Sequence, residues 1–337
     1  MPGFDPMTDT YETESTRRRL SAMLRTAFCP VVRAALESDA TIEVMVNPDG
    51  SVWIEEAGRG LIPTARVLAA GDRERVIRLV ASSVGAGNSA TASIVSAELP
   101  GTGERFEGVL PPVSAAPCYS IRKLARTPFT LADYVRQGAL SPALADRLKA
   151  LVAERANIVI AGGTSSGKTS FANALLAEGG FSGERIVILE DTRELTCRAA
   201  NLVALRTQDA RVSLRDLVRS TLRLRPDRII VGEVRGAEAL DLLKAWNTGH
   251  PGGLTTLHAN SALGALSRLE QLVNEATARS PFELIAEAVD VIVFMSRAGG
   301  QRRVEDAVRV LEFTGEGYRT EPVLSRSLSL VSQGDAS

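Results

Sequence analysis

The segment GGTSSGKTS, from Gly162 to Ser170, has the residue types and spacing of a phosphate-binding loop. Gly162, Gly167, Lys168 and Thr169 fit the pattern G-x-x-x-x-G-K-S/T. Glycines let backbone N–H groups approach phosphate oxygens closely, and the N-terminus of a following helix adds positive potential. The spacing therefore predicts a site for the phosphate groups of a nucleotide.

The flanking sequence supplies the context that this motif requires. An apolar strand is predicted at 157–160 and an apolar helix at 169–177. In such a loop, Lys168 reaches the β- and γ-phosphates and the Thr169 hydroxyl ligates Mg²⁺. The predicted nucleotide-binding residues of the segment are Gly162, Gly163, Thr164, Ser165, Ser166, Gly167, Lys168, Thr169 and Ser170.

Acidic residues follow two other predicted strands. RIVIL runs directly into Glu190, and RIIVG runs directly into Glu233. Ligands of parallel α/β sheets lie at the carboxyl ends of the strands, so both carboxylates are expected at the edge that holds the phosphate loop. ATP hydrolysis needs one acidic group to hold the metal, usually through water, and another group to orient the attacking water. The sequence does not rank the two, but it places Gly232 where most ATPases with this loop have aspartate.

Both histidines of the chain fall in the stretch TGHPGGLTTLHANS. His258 ends the predicted strand GLTTLH, which places it on the same sheet edge as Glu190 and Glu233. A side chain there can sense the γ-phosphate or connect the site to a neighbouring subunit. His250 lies in the Gly-Pro loop, and its role stays open.

The stretch SLRDLVRSTLRLRPD is predicted to be a helix capped by Ser213. Arg215, Arg219 and Arg223 are four residues apart and would line one face, with Leu222 among the apolar residues of the other. This basic face is either solvated or part of a subunit interface that presents an arginine to a neighbour's phosphate. Both interpretations remain open.

The elements that position these residues form two blocks. The first block is predicted to contain a helix at 16–36, the strands TIEVMVN and SVWIEEA around a turn at 47–50, a helix at 73–84, and the strands SIVSAELP and RFEGVLPPV. In the second, short β-branched strands alternate with helices, which predicts an α/β fold with a mainly parallel sheet. The expected divisions are a disordered N-terminus at 1–15, an α+β domain at 16–122, a linker at 123–135, an ATPase domain at 136–325 and a mobile tail at 326–337.

Composition limits the functional classes. The chain has 337 residues, 45% of them hydrophobic, and a formal net charge of -1, so no overall basic field favours nucleic acid. Its three cysteines include no C-x-x-C pair, which argues against a zinc ribbon or a disulfide framework. No apolar run approaches the ~18 to 20 residues that span a bilayer. We therefore expect a soluble, cytoplasmic protein.

Taken together, four blocks resemble the secretion traffic ATPases of type II and type IV systems. In order they are GGTSSGKTS, ILEDTREL, LRPDRIIVGEVRGAEA and TGHPGGLTTLHANS, which that family calls the Walker A, Asp, Walker B and His boxes. The ending Gly232-Glu233 is the family's own pattern. Two N-terminal segments, EVMVNPDGSVWIE and YSIRKL, resemble the conjugal-transfer, TrbB-like branch. The chain also lacks the four-cysteine zinc module of type II secretion ATPases.

The resemblance implies a homohexameric ring with a RecA-like P-loop C-terminal domain and a smaller α+β N-terminal domain. Its cofactors would be ATP and Mg²⁺. Glu190 would orient the attacking water and Glu233 would help to hold Mg²⁺, while Arg122 would reach the phosphates from the N-terminal domain. The resemblance also implies sensor or interface roles for Arg206, Arg235 and His258. Its partners would be inner-membrane secretion-channel components, which would bring the protein to the inner face of the inner membrane.

Three other functions compete with a conjugation motor. A pilus-retraction or type II secretion motor shares the same core motifs. A non-catalytic nucleotide-binding switch would not need the two strand-end carboxylates. A nucleic-acid motor is disfavoured by the near-neutral charge and by the absence of an aromatic, basic stacking stretch, and no stable nucleic-acid binding is expected.

Overall fold

The computed structural model describes residues 18–83, 92–123, 129–179, 181, 183–208, 211–279, 281–298 and 301–324. The predicted disordered N-terminus and mobile tail lie outside the described residues. The chain divides into two compact units, Met1–Thr127 and Pro128–Ser337. The division falls inside the segment predicted as a linker. Thr130 caps the helix that follows, with a capping box to Asp133.

The first unit contains a six-stranded antiparallel sheet with strand order β3-β2-β1-β6-β5-β4. Its strands are β1 Thr41–Val46, β2 Ser51–Glu56, β3 Gly60–Val67, β4 Ile94–Glu98, β5 Arg105–Val109 and β6 Cys118–Arg122. Its helices are α1 at residues 18–27, α2 Pro30–Glu37 and α3 Ala70–Ser83. Ile77 of α3 and Phe106 and Ile121 of the sheet are fully buried in the core of this unit.

The prediction of one continuous helix at 16–36 is wrong. Residues 28–29 separate α1 from α2, and Cys29 has the extended backbone angles φ −64° and ψ 159°. Pro30 causes the break, because it has no N–H to donate and its ring clashes with a helical carbonyl one turn earlier. As the first residue of α2 it is favourable instead. The hairpin of β1 and β2 around residues 47–50 is confirmed.

The second unit contains an eight-stranded sheet with strand order β14-β13-β12-β7-β11-β10-β8-β9. Its strands are β7 Ile158–Gly162, β8 Arg185–Glu190, β9 Asn201–Arg206, β10 Arg228–Val231, β11 Leu254–Leu257, β12 Val291–Ala298, β13 Gln301–Phe313 and β14 Tyr318–Pro322. The six strands from β12 to β9 are parallel, and β13 and β14 continue the sheet antiparallel. The mainly parallel sheet is therefore confirmed.

Helices cover both faces of this sheet. They are α4 Leu131–Arg136, α5 Pro142–Ala153, α6 Lys168–Glu178, α7 Leu214–Thr221, α8 Glu238–Asn247, α9 Ala262–Asn274 and α10 Phe282–Ala288. Strand β7 is buried along its whole length: Ile158 and Ile160 pack with α4 to α6, while Val159 packs with α7 to α10. This double burial holds the end of β7, where the phosphate loop begins, in a fixed position. None of the helices in the described part of the chain is long and apolar enough to cross a membrane.

Candidate active site

The predicted phosphate loop connects the end of β7 to the start of α6. Ser165 and Gly167 have left-handed backbone angles, with φ of 59° and 94°. Such a conformation turns successive backbone N–H groups towards one concave side, which suits an anion. A methyl group on Gly162 would lie 2.4 Å from the Met295 carbonyl oxygen and 2.6 Å from Ser166 Oγ, so only glycine fits there. The strand–loop–helix context is confirmed, and the binding of a nucleotide by these residues stays a prediction.

Lys168 is the first residue of α6, and its side chain is buried against the loop. Its Nζ donates hydrogen bonds to the carbonyl oxygens of Gly162 at 3.0 Å and Gly163 at 2.9 Å. The same atom lies 3.4 Å from Nδ1 of His258. The ammonium group is therefore held at the loop, where it adds to the positive potential of the α6 N-terminus.

Glu233 follows β10 and lies next to two of the other predicted residues. Its Oε2 accepts a hydrogen bond from Nη2 of Arg235 at 2.8 Å, and its Oε1 lies 3.1 Å from Nε2 of His258. That second contact lacks hydrogen-bond geometry, so Oε1 is a buried oxygen with no hydrogen bond from the described residues. Burial raises the pKa of Glu233, but the Arg235 hydrogen bond and the charges of Arg235, His258 and Lys168 outweigh it and lower the pKa. The carboxylate is therefore ionised at neutral pH.

His258 comes directly after β11 and lies between Lys168 and Glu233. Burial and the Lys168 charge lower its pKa, against an opposing effect of Glu233, so the ring is neutral at pH 7. Because Nδ1 faces the Lys168 ammonium, it must act as acceptor, and we infer that Nε2 carries the proton. The prediction that His258 lies on the same edge as Glu233 is confirmed.

Glu190 is the last residue of β8 and only 5% exposed. Its Oε1 accepts hydrogen bonds from the backbone N–H groups of Glu194 at 2.9 Å and Leu195 at 2.8 Å. Burial is the main influence and, against these two hydrogen bonds, raises the pKa of Glu190 to about 7. A methyl group on Gly232 would lie 3.1 Å from Cγ of Glu190, which gives a physical reason for glycine at that position. The two carboxylates thus have oppositely shifted pKa values.

Two further predicted residues, Arg206 and Arg122, each lie at the end of a strand. Arg206 ends β9, pairs in backbone register with Glu190, and exposes its side chain. Arg122 is exposed at the end of β6 in the first unit. The roles predicted for Arg206 and Arg122 stay predictions.

The predicted arginine face is shorter than its sequence pattern indicates. Helix α7 ends at Thr221, so Arg223 lies beyond it, and Leu222 is 46% exposed rather than packed. Pro226 disfavours helical angles at the preceding residue, Arg225, which is left-handed with φ 54°. A helix through this stretch is therefore ruled out.

The other two arginines of that face are paired within the chain. Nε of Arg215 lies 2.6 Å from Oδ2 of Asp241, and Nε of Arg219 lies 3.3 Å from Oδ1 of the same residue. His250 is also engaged elsewhere, because its Nδ1 lies 2.9 Å from the Pro226 carbonyl oxygen. None of these three side chains joins the Lys168–Glu233 cluster.

A cleft of about 600 Å³ lies beside Arg235, and its lining includes two residues that the sequence did not single out. The Thr207 hydroxyl donates to Oδ1 of Asp191 at 3.1 Å. Both residues directly follow strand ends, after Glu190 and Arg206, and this position is the signal by which they could have been found. The cleft is lined by Asp191, Thr207, Gln208, Arg211, Val212, Ser213, Leu214, Asp216, Arg235, Gly236 and Glu238.

Residues 41–306 match the family described as Type II/IV secretion system protein. The probable conjugal transfer protein TrbB of Sinorhizobium fredii is 46% identical over 305 residues, covering 90% of this chain and 93% of that protein. The type IV secretion system protein VirB11 of Bartonella quintana is 30% identical, covering 82% and 90%. The structure of the ATPase DotB from Legionella pneumophila is 22% identical with a TM-score of 0.60, covering 84% of this chain and 81% of that one.

These similarities define the class of the protein as a secretion-system protein with a fold like that of DotB. The chain belongs to the Type II/IV secretion system protein family, with conjugal-transfer TrbB proteins and VirB11 among its relatives.

Proposed function

We propose that this protein is an ATP-hydrolysing motor of a conjugative type IV secretion system, and that it works as a homohexameric ring with inner-membrane channel components. One observation carries the hydrolytic part of the proposal. A phosphate loop and two carboxylates with oppositely shifted pKa values follow the ends of parallel strands of one sheet, with β11 and its His258 between the loop strand and the carboxylate strands. The similarity to TrbB and VirB11 supports the part in conjugation and secretion.

The loop residues Gly162 to Ser170 would bind the phosphates of ATP through backbone N–H groups, and Lys168 would exchange its carbonyl contacts for phosphate oxygens. Thr169 and Glu233 fit a Mg²⁺ ion: Thr169 is in the first turn of α6, and Glu233 Oε1 is a buried anionic oxygen that receives no hydrogen bond from the described residues. Mg²⁺, when bound, would neutralise charge on the β- and γ-phosphates.

Glu190 is the better candidate for the group that orients and deprotonates water. A general base works best when its pKa is near the operating pH, and the pKa of Glu190 is about 7. Its Oε1 is occupied by two backbone N–H groups, which fix the carboxylate in place. Glu233 is ionised at lower pH and paired with Arg235, so it suits a permanent anion that helps to hold Mg²⁺. Arg235 and His258 both contact Glu233, so a change of charge at the γ-phosphate or Mg²⁺ would change their interactions with it.

The test is steady-state ATP hydrolysis measured against protein concentration, with Lys168→Ala as the blank. For a ring motor, activity per subunit rises with concentration and the variant is inactive. Flat activity per subunit from a monomer would contradict the ring. Hydrolysis that survives Glu190→Gln unchanged would contradict the role of Glu190, and ATP binding without turnover would favour a switch.

A further inference from the structure

An arginine of strand β13 lies against the phosphate loop. Arg302 is the second residue of β13, which pairs with β12, and β12 in turn lies beside β7. A methyl group built on Gly167 would lie 2.9 Å from Cδ of Arg302 and 3.7 Å from its Nε. The arginine stem therefore lies against the residue that caps the N-terminus of α6.

The guanidinium of Arg302 has no compensating anion among the described residues, where neither an ion pair nor a side-chain hydrogen bond links it to another group. The adjacent Arg303, by contrast, lies 3.9 Å from Glu305. Arg302 also acts on Tyr134 of α4: burial, against the opposing effect of the Arg302 charge, raises the pKa of Tyr134 to about 12. Tyr134 packs edge-on against Phe171 of α6, so Arg302 belongs to the environment of the same helix.

This arrangement is electrostatically unfavourable without an anion. The N-terminus of α6 carries positive potential, and the Lys168 ammonium already lies at the loop. The partly buried Arg302 guanidinium is a third positive group without a carboxylate partner, so it adds electrostatic repulsion. A bound polyphosphate would replace this repulsion with attraction. Guanidinium groups bind phosphate oxygens with two parallel N–H···O bonds, which lysine cannot do.

We propose that Arg302 is a second phosphate-binding side chain of this site, acting on the diphosphate of the nucleotide from within the same subunit. The inference rests on the proposed function, because it requires that the loop binds a nucleotide. It adds a ligand contact from the β12–β13 hairpin, outside the four sequence blocks that define the family resemblance.

The experiment is calorimetric titration of the full-length protein with ADP, comparing wild type with R302Q, R302K and the neighbouring control R303Q. Glutamine keeps the part of the stem that packs on Gly167 and removes the charge. Loss of a charged hydrogen bond predicts about tenfold weaker ADP binding for R302Q. R302K should lose less, since it keeps the charge, and R303Q should match wild type. The loss for R302Q should also shrink at high salt.

The outcomes separate the inference from the function on which it rests. If wild type binds ADP, K168A does not, and R302Q binds like wild type, the inference about Arg302 is wrong while the nucleotide site stands. If wild type does not bind ADP, the proposed function fails and Arg302 has no ligand. Thermal unfolding of the ligand-free variants is measured alongside. Equal melting temperatures with weaker binding support a ligand contact, whereas an R302K variant as weak as R302Q would contradict a role of charge.

Discussion

Gly232 leaves the space that the Glu190 side chain occupies. A Cβ atom at Gly232 would lie 3.1 Å from Cγ of Glu190 and 3.4 Å from its Oε1, which is closer than neighbouring side chains usually pack. Gly232 follows β10 and Glu190 ends β8, and these two strands are hydrogen-bonded neighbours in the parallel sheet. The absence of the more usual aspartate is therefore coupled to the position of the carboxylate that we propose to act on water.

The substitution Gly232→Ala should lower hydrolysis far more than nucleotide binding. Its methyl group would displace Glu190, and small displacements of a reacting group can cost about 100-fold in rate. We expect a loss of about 10- to 100-fold in kcat, with ADP affinity nearly unchanged because the phosphate loop is not touched. Gly317→Ala is the matched control, since nothing lies within 4 Å of a Cβ built there. A Gly232→Ala variant with wild-type kcat would contradict the explanation that Gly232 leaves space for Glu190.

The pKa of Glu190 predicts a pH dependence of hydrolysis. Burial raises this pKa from 4.5 to about 7, so the carboxyl is protonated below that pH and cannot accept a proton from water. The rate per subunit should therefore rise as pH increases through about 7 and then level off. The measurement is kcat across about pH 6 to 8, with ADP affinity measured in parallel. A flat rate profile over this range would contradict Glu190 as the base.

The same shift affects stability with a defined sign. Because the folded-state pKa lies above the unfolded value, Glu190 favours the folded state at low pH. That contribution is lost as pH rises from about 4.5 through about 7, since the buried group must then ionise. Glu190→Gln should remove this part of the pH dependence of the free energy of unfolding, as measured by urea denaturation at several pH values.

His258 should be more important for hydrolysis than for binding. It lies 3.1 Å from Glu233 and 3.4 Å from Lys168, so its removal leaves both charged groups without the ring between them. We expect His258→Ala to lower kcat by about tenfold with little change in ADP affinity. His250→Ala is the control: it loses the contact with the Pro226 carbonyl, so it should cost about 1 kcal/mol of stability and leave kcat intact. Equal effects of the two substitutions on kcat would refute a specific role of His258.

The sequence predicted the central strands well because their pattern reflects their burial. The four apolar segments predicted as central strands, at 157–160 and in RIVIL, RIIVG and GLTTLH, all form strands, since residues such as Ile158 and Val159 face helices on opposite sides. Other strands carry a weaker signal. Residues of β9 are mostly exposed, β13 contains many charges, and β3 includes Pro63, a residue that strands tolerate at an edge. These strands depend on tertiary pairing that local pattern does not encode.

The site was predictable in its membership but not in its internal contacts. The motif and the strand ends indicated Lys168, Glu190, Glu233 and His258 as neighbours of one sheet edge. The ranking of the two carboxylates required their burial and partners, because both follow strands in the same way. Similarly, the contact of Arg302 with the loop depends on the register of β13, which the sequence alone did not reveal.

Stability of the second unit should depend on a buried ion pair away from the loop. Nε of Arg228 donates to Oε2 of Glu184 at 2.5 Å, and its Nη1 donates to the Val152 carbonyl at 2.7 Å. Arg228→Ala would leave the Val152 carbonyl unbonded and Glu184 with Arg155 as its remaining cationic partner, so we expect a loss of about 2 kcal/mol. Arg147→Ala is the matched control, because Arg147 pairs with the exposed Glu154. Its removal should lower the free energy of unfolding by about 1 kcal/mol or less.

The measurement can be confined to the unit that contains Arg228. The chain has two tryptophans, and a Trp53→Phe background leaves Trp246, whose Nε1 donates to the carbonyl oxygen of Ile229, the residue after Arg228. Urea denaturation followed by Trp246 fluorescence then reports the free energy of unfolding near the ion pair. If Arg228→Ala and Arg147→Ala shift the midpoint equally, the buried pair contributes no more than a surface pair, and the Arg228 hydrogen bonds are not what stabilises this side of the sheet.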